Sequence, residues 1–228
     1  TKRPSFEPKL TDPSSAFRPG DVVLVELVTG PGVTPDATPP YRAVLAQWPR
    51  VQGALVAADA DTHHVRALQG GYDWDLTEVN RAFSLRQTGS AIKPAIYSLA
   101  YELGLVPSAV LSGAPFREGD YAPTKGSGKG DLMVWDALAE SENNVSLRVM
   151  NYVQSRAGRD GISRWFERLG LSGKVMGFTA EVLGVDQTPF GILRMMATFA
   201  NGGPTVTPAL VRRVTRADGR VFLRPHRP

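Results

Sequence analysis

The sequence predicts an α+β protein, with strands at its two ends and helices between them. Three observations predict it. Before residue 72 the apolar residues come in short β-rich runs separated by turns. From residue 90 to about 203 they recur at helical spacing, and around Asp218-Gly219 the alternating pattern returns. Strands, then many helices, then strands again indicate α+β rather than a parallel α/β sheet, and no internal repeat is present.

Each element has a local cause. Residues 1–16 carry three prolines and form a polar, extended lead-in. "FRPGDVVLVELV" (17–28) is a turn followed by a β-rich run, and "YRAVLAQW" (41–48) is a second strand beyond a loop set by Pro31, Pro35, Pro39 and Pro40. Residues 1–50 are therefore expected to be a lead-in and small β module, and 51–228 the principal domain. "VQGALVAAD" (51–59) and "VRALQGG" (65–71) flank a short polar stretch and predict an antiparallel hairpin. A first helix is expected from 90 to about Leu103, stopped by Gly104. Residues 112–130 are a Gly/Ser/Pro-rich loop. "DLMVWDALAE" (131–140) is expected to be a short helix capped by Asp131.

A further helix covers about 144–157 and ends at Gly158. In "DGISRWFERLG" Ile162, Trp165, Phe166 and Leu169 share one face, so that face is expected to be buried. "TPFGILRMMATFANGG" repeats the spacing with Ile192, Met195, Met196 and Phe199, most simply as core. There Thr188 is the expected cap, Pro189 fits the first turn, and Asn201-Gly202-Gly203 is the stop. "TPALVRRVTRADGRVFL" is expected to close the chain as a hairpin.

Composition bounds the function. The 228 residues carry 26 basic and 22 acidic side chains, for a net charge of +4. That excess suits a carboxylate-bearing ligand but is too weak to argue for nucleic acid. There is no cysteine, so disulfides, thiolate nucleophiles and cysteine-ligated metals are excluded. No apolar run reaches the roughly 18 residues that a membrane helix needs. The N-terminus has no initiator Met and no signal-like apolar core, so the chain reads as a piece of something longer.

The chemistry centres on "RQTGSAIKPAIYSLAYELG" (86–104). If Gly89-Ser90 opens a helix, Ser90 and Lys93 lie one turn apart on one face. A serine hydroxyl is a poor nucleophile until something takes its proton, and a lysine whose pKa is lowered by burial can do so. The helix N-terminus favours a developing anion, and its free N–H groups can form half of an oxyanion hole. Alone, a serine and a lysine at this spacing are two common residues at the start of a helix. A second element changes the balance. Ser141-Glu142-Asn143 follows a short helix, where a serine and an asparagine two apart can point into one cleft. The plain alternative is that Ser141 and the asparagines cap the next helix.

S-x-x-K followed by an S-x-N is part of the ordered motif set of penicillin-binding proteins and β-lactamases. The resemblance extends to "QGALVAADADTHHVRALQGGYDW", "NRAFSLRQTGSAIKPAIYSLAYELG", "DALAESENNVSLRV" and "TPFGILRMMATFANGG" in order. Together these resemble the transpeptidase domain of class A (bifunctional) penicillin-binding proteins, and "FRPGDVVLVEL" resembles the linker before it. The resemblance covers about residues 17–225. It implies an antiparallel sheet with a helical subdomain, and an extracytoplasmic serine D,D-transpeptidase that crosslinks peptidoglycan. It further implies Ser90 as the acylated nucleophile, Lys93 as its general base, Ser141 as a proton shuttle and Asn143 as the ligand of the stem peptide. Peptidoglycan stem peptides and β-lactams are the implied partners, with no metal and no organic cofactor. A membrane anchor and a glycosyltransferase domain are expected only in segments of the parent outside these residues.

The third motif, K-T-G or K-S-G, is not in the sequence. "KGSGKG" (125–130) has the wrong order, and "SGK" at 172–174 is not it either. In the family this motif lies on a strand that would fall beyond Pro228, so the fold is expected to be incomplete at the C-terminus. The remainder is then either on a separate polypeptide or absent. Two other readings stay open: a wall-polymer-binding or scaffolding module without turnover, and a β-lactamase-like hydrolase using the same nucleophile. Among the remaining signals, "GSGKG" lacks the Ser or Thr of a phosphate-binding loop and reads as a flexible loop bordering the cleft. His63-His64 raise a metal pair, but neighbours in a hairpin turn seldom converge, and a solvated turn is expected. Arg212, Arg213, Arg216 and Arg220 are expected to form a solvated face.

Overall fold

The computed structural model describes residues 17–29, 41–46, 49, 51–123, 130–205 and 207–223. The chain divides into two compact units, Thr1–Val51 and Gln52–Pro228. The first holds an antiparallel pair, β1 (Val25–Val28) and β2 (Arg42–Leu45), in register Val25 with Leu45. Both strands are shorter than the alternation suggested.

The second unit contains Ser90, Lys93, Ser141 and Asn143. β3 (Leu55–Ala58) and β4 (Val65–Gln69) form the expected antiparallel hairpin. Its turn corrects one expectation. His63 is not solvated: it is 6% exposed, in a left-handed conformation with φ 56°, and its carbonyl accepts a bond from Ala209 N at 2.8 Å. Ala209 thus folds back on the turn, its backbone bonding His63 O and Val65 N. Among the described residues there is no cluster of His, Asp and Glu able to hold a metal ion.

Next to this hairpin the Gly70-Gly71 and Asn80-Arg81-Ala82 segments lock together. A Cβ on Gly70 would meet Asn80 Oδ1 at 2.5 Å, so the asparagine can approach only because residue 70 is glycine. That asparagine caps the 3₁₀ turn Arg81–Phe83 by accepting from Ala82 N, and Arg81 N bonds Gly70 O at 3.0 Å.

β5 (Arg86–Gln87) leads into a 3₁₀ turn, Gly89–Ile92, that runs directly into α1 (Lys93–Glu102). Gly104 ends it with φ 92°, as expected. β6 (Val110–Leu111) pairs with β7 (Leu132–Met133) ahead of α2 (Val134–Ala139). Helix α2 therefore starts later than the sequence suggests. Asp131 precedes the strand and does not cap; Met133 occupies the N-cap position without a side-chain bond.

Segment α3 (Asn143–Arg168) is helical on both sides of Gly158, whose φ of 62° and ψ of −180° break it where the sequence places a boundary. Its N-cap is Glu142, not Ser141 or an asparagine; the carboxylate accepts from Val145 N at 2.7 Å. β8 (Asp186–Gln187) pairs with β5, and α4 (Pro189–Ala200) follows. Thr188 Oγ1 caps α4 by accepting from Gly191 N at 2.9 Å, and Pro189 lies in its first turn. Met195 is fully buried, but Met196, placed in the core by its spacing, is 40% exposed. β9 (Val214–Thr215) and β10 (Val221–Leu223) close the expected hairpin over Gly219, whose φ is 84°. Its arginines 212, 213, 216 and 220 are exposed, with Arg216 over the Phe222 ring and Arg220 near Asp218.

The core lies between α1 and α3. Ile92, Ala95, Ile96 and Tyr97 pack with Val145, Val149, Met150 and Val153, all at most 1% exposed. Truncating one large member of such a set to alanine costs about 2–5 kcal/mol. This packing holds the first turn of α1 beside the first turn of α3, which is where the polar cluster forms.

Candidate active site

Lys93 is the first residue of α1 and is 1% exposed, although its residue type almost never is. The reason is the company of its ammonium. Lys93 Nζ donates to Asn143 Oδ1 at 2.8 Å, to Ser141 O at 2.7 Å and to Ser141 Oγ at 3.1 Å, with Glu142 O at 3.4 Å. Burial still lowers its pKa to about 8, against the opposing pull of the Glu142 charge. An amine of that kind is partly neutral near physiological pH, so it can take a proton as well as hold one.

Ser141 terminates the turn between α2 and α3 in a left-handed conformation, φ 56°, that non-glycine residues adopt at a cost of about 1–3 kcal/mol. The surrounding backbone enforces it. Ser141 N donates to Leu138 O at 3.1 Å, and Glu142 N donates to Ala137 O at 2.8 Å. The turn directs both the carbonyl and the hydroxyl of Ser141 at Lys93. Asn143, the first helical residue of α3, completes the contact from the other side.

Ser90 lies in the 3₁₀ turn one helical turn before Lys93 and is exposed. Among the described residues no hydrogen bond joins its hydroxyl to Lys93. The structure thus gathers Lys93, Ser141 and Asn143 into direct contact and keeps Ser90 at the open end of the same turn, accessible to an incoming ligand. Catalytic hydrogen bonds are often loose before a substrate arrives. The strand before Ser90 is fixed by β8: Thr88 N and Oγ1 both donate to Val185 O at 3.0 Å.

Two supporting residues escaped the sequence reading. Asn144 is 2% exposed; its Oδ1 accepts from Phe116 N at 3.1 Å and its Nδ2 donates to Gly113 O at 3.1 Å. Glu142, 4% exposed, accepts from Asn144 Nδ2 and Val145 N. The available signal was an acidic residue at a helix start, where the helix dipole favours it. Residues 125–129 of the glycine-rich loop expected to border the cleft lie outside the described residues. "SGK" at 172–174 serves packing instead: Ser172 N and Gly173 N both donate to Gln187 Oε1.

A family model described as the penicillin binding protein transpeptidase domain matches residues 53–226. Penicillin-binding protein 1A of Neisseria meningitidis serogroup A is 33% identical over 192 residues, which is 79% of this chain and 24% of that relative. Its counterpart from Escherichia coli K12 is 31% identical over 189 residues, 78% of this chain and 22% of that protein. Among solved structures, penicillin-binding protein 1A from Haemophilus influenzae superposes with a TM-score of 0.71 at 28% identity, covering 81% of this chain and 29% of the other. PonA1 from Mycobacterium tuberculosis, at 23% identity and a TM-score of 0.65, shares the fold over 77% of this chain. The chain spans about a quarter of the length of the curated relatives it matches.

Proposed function

Because this chain belongs to the penicillin-binding protein transpeptidase family, we propose that it forms the acylation site of a serine D,D-transpeptidase acting on peptidoglycan stem peptides. In this reading Ser90 Oγ attacks the carbonyl of the penultimate D-alanine and forms an ester. The terminal D-alanine departs as the amine after taking a proton. An amine of a second stem then attacks the ester, forming the crosslink and returning the proton to Ser90. Neutral Lys93 is the base that frees the Ser90 hydroxyl. Ser141, hydrogen-bonded to Lys93, carries the proton toward the leaving nitrogen, and Asn143 holds the donor's amide. No cofactor enters these steps.

The single observation that supports this reading most is the buried Lys93 amine, bonded at once to Ser141 Oγ and Asn143 Oδ1. A solvent-facing lysine would stay protonated and could not act as a base at neutral pH. β-Lactams, as mimics of the donor, are the expected covalent inhibitors. The substrate implies action outside the cytoplasmic membrane. Among the described residues no helix is long and apolar enough to cross one.

Fluorescent penicillin tests this, applied to the chain both as it stands and extended by the expected K-T-G segment. A covalent adduct in either form that disappears in Ser90→Ala supports the acyl-enzyme. Release over hours supports a transpeptidase, and release within seconds a β-lactamase-like hydrolase. Failure to label in both forms would overturn the catalytic reading in favour of a wall-polymer-binding module without turnover.

A further inference from the structure

Glu142 sits between Ser141 and Asn143 and is itself buried, 4% exposed. A buried carboxylate is costly unless its oxygens are bonded. Here Oε2 accepts from Val145 N at 2.7 Å and Oε1 from Asn144 Nδ2 at 3.2 Å. The same residue's carbonyl accepts from Ser146 Oγ at 2.5 Å and lies 3.4 Å from Lys93 Nζ. Ser146 Oγ is in turn 3.0 Å from the buried Tyr97 hydroxyl on α1. Through Asn144 the carboxylate also reaches the loop at Gly113 and Phe116. The side chain thus ties the start of α3 to the 113–116 loop, while the backbone carbonyl of the same residue faces α1 at Lys93 and, through Ser146, at Tyr97.

We propose that Glu142 is a positioning residue for acylation: its buried carboxylate holds the strained Ser141 turn against Lys93 and sets the charge environment of that amine. The proposal rests on the reading of Lys93 and Ser141 given above. Ser141 has a left-handed backbone that persists only where its neighbours over-determine it. Helix α2 fixes the turn from one side through Leu138 O and Ala137 O, and the Glu142 cap fixes it from the other. For the charge role, geometry places the two residues side by side, with Glu142 O 3.4 Å from Lys93 Nζ, and the Glu142 charge opposes the effect of burial on that amine. The other charged or titratable groups around the pair are few. Tyr97 and Tyr101 come from α1, both shifted upward chiefly by burial, and Glu142 adds to the shift at Tyr97. Arg148 on α3 is committed to Asn144 O and the Phe116 ring. Asp136 and Glu140 at the ends of α2 are exposed.

Three substitutions separate positioning from charge. Glu142→Gln keeps an acceptor for Val145 N and removes the charge, Glu142→Asp keeps the charge on a shorter arm, and Glu142→Ala removes both. Two readouts are needed: the titration of Lys93, followed by NMR of ¹³Cε-labelled lysine with the resonance assigned by its loss in Lys93→Arg, and the pH profile of penicillin acylation. In Glu142→Gln the Lys93 midpoint and the acylation profile move together to lower pH. In Glu142→Ala acylation falls on the order of a hundredfold, as expected when a catalytic group is misplaced by about 1 Å, while Glu142→Asp recovers part of it. An unmoved Lys93 titration in Glu142→Gln overturns the charge role, and a Glu142→Ala protein that acylates like the parent overturns the positioning role. If Glu142→Ala does not fold, Glu142→Asp against Glu142→Gln carries the positioning comparison. The NMR titration does not require turnover, so it reports on Glu142 even if the parent fails to label.

Discussion

Gly173→Ala offers the sharpest mechanical test of how the fold holds the Ser90 turn. A Cβ on residue 173 would lie 1.7 Å from Asp186 O and 2.6 Å from Gln187 Nε2. No rotamer relieves a collision with backbone, so segment 172–174 or β8 must move apart. That movement breaks the bonds from Ser172 N and Gly173 N to Gln187 Oε1, at 2.9 and 3.0 Å, around an amide that is 1% exposed. Overpacking costs about 1–3 kcal/mol. Leaving the buried amide under-bonded adds about 1–3 kcal/mol. For a protein of this size each kcal/mol moves the melting temperature by about 2–4 °C, so a fall of roughly 5–20 °C is expected. Because β8 pairs with β5 and Val185 O holds Thr88, penicillin labelling of Ser90 should fall in parallel. Calorimetry against Gly53→Ala, which meets nothing within 4 Å, supplies the control. A Gly173→Ala protein that melts within about 2 °C of the parent would refute the steric account.

Two further outcomes follow from the site. With Lys93 at about 8, Ser90 acylation should rise about tenfold from pH 7 to a plateau above pH 9, measured as stopped-flow labelling rates, and a flat profile would remove Lys93 as the base. The linked stability has the same sign. The folded value lies below the ordinary lysine value, so the unfolded chain binds the extra proton and stability climbs between about pH 8 and 10.5, a trend that pH-dependent denaturant melts should show. Ser141→Gly relieves the left-handed backbone yet deletes the hydroxyl near Lys93. It should leave the melting temperature unchanged or higher while slowing acylation on the order of a hundredfold; equal acylation would exclude the hydroxyl from proton transfer.

Much of the fold was legible because its local signals are strong. Glycines at 104 and 158 stop or break helices through positive φ, and Thr188-Pro189 start one through a side-chain cap and a preset φ; each acts within a few residues. Errors arose where a distant partner decided. Asp131 has the chemistry of a cap, but pairing of Leu132–Met133 with Val110–Leu111 delays the helix past it. His63 looked like a turn residue in water until Ala209, far along the chain, bonded its backbone. Met196 matched the apolar period, which finds one stripe of a helix but not the width of the surface available to cover it.

The site divides along the same line. Spacing could place Ser90 and Lys93 on one turn, since three residues apart is a local relation. It could not show that the Lys93 amine would bond acceptors 48 to 50 residues later, because packing of α1 on α3 decides that. Glu142 was hidden more deeply. Glutamate is a weak candidate for a cap by preference alone, and its usual place is in water. Only the buried junction of two helix starts, where N–H groups and an ammonium both seek negative charge, makes it the better choice there. A lysine that must be buried to act as a base needs acceptors to hold its charged form, and a turn that presents those acceptors needs an anchor. The residue between the two recognisable positions supplies that anchor from a place where sequence reading sees only a spacer.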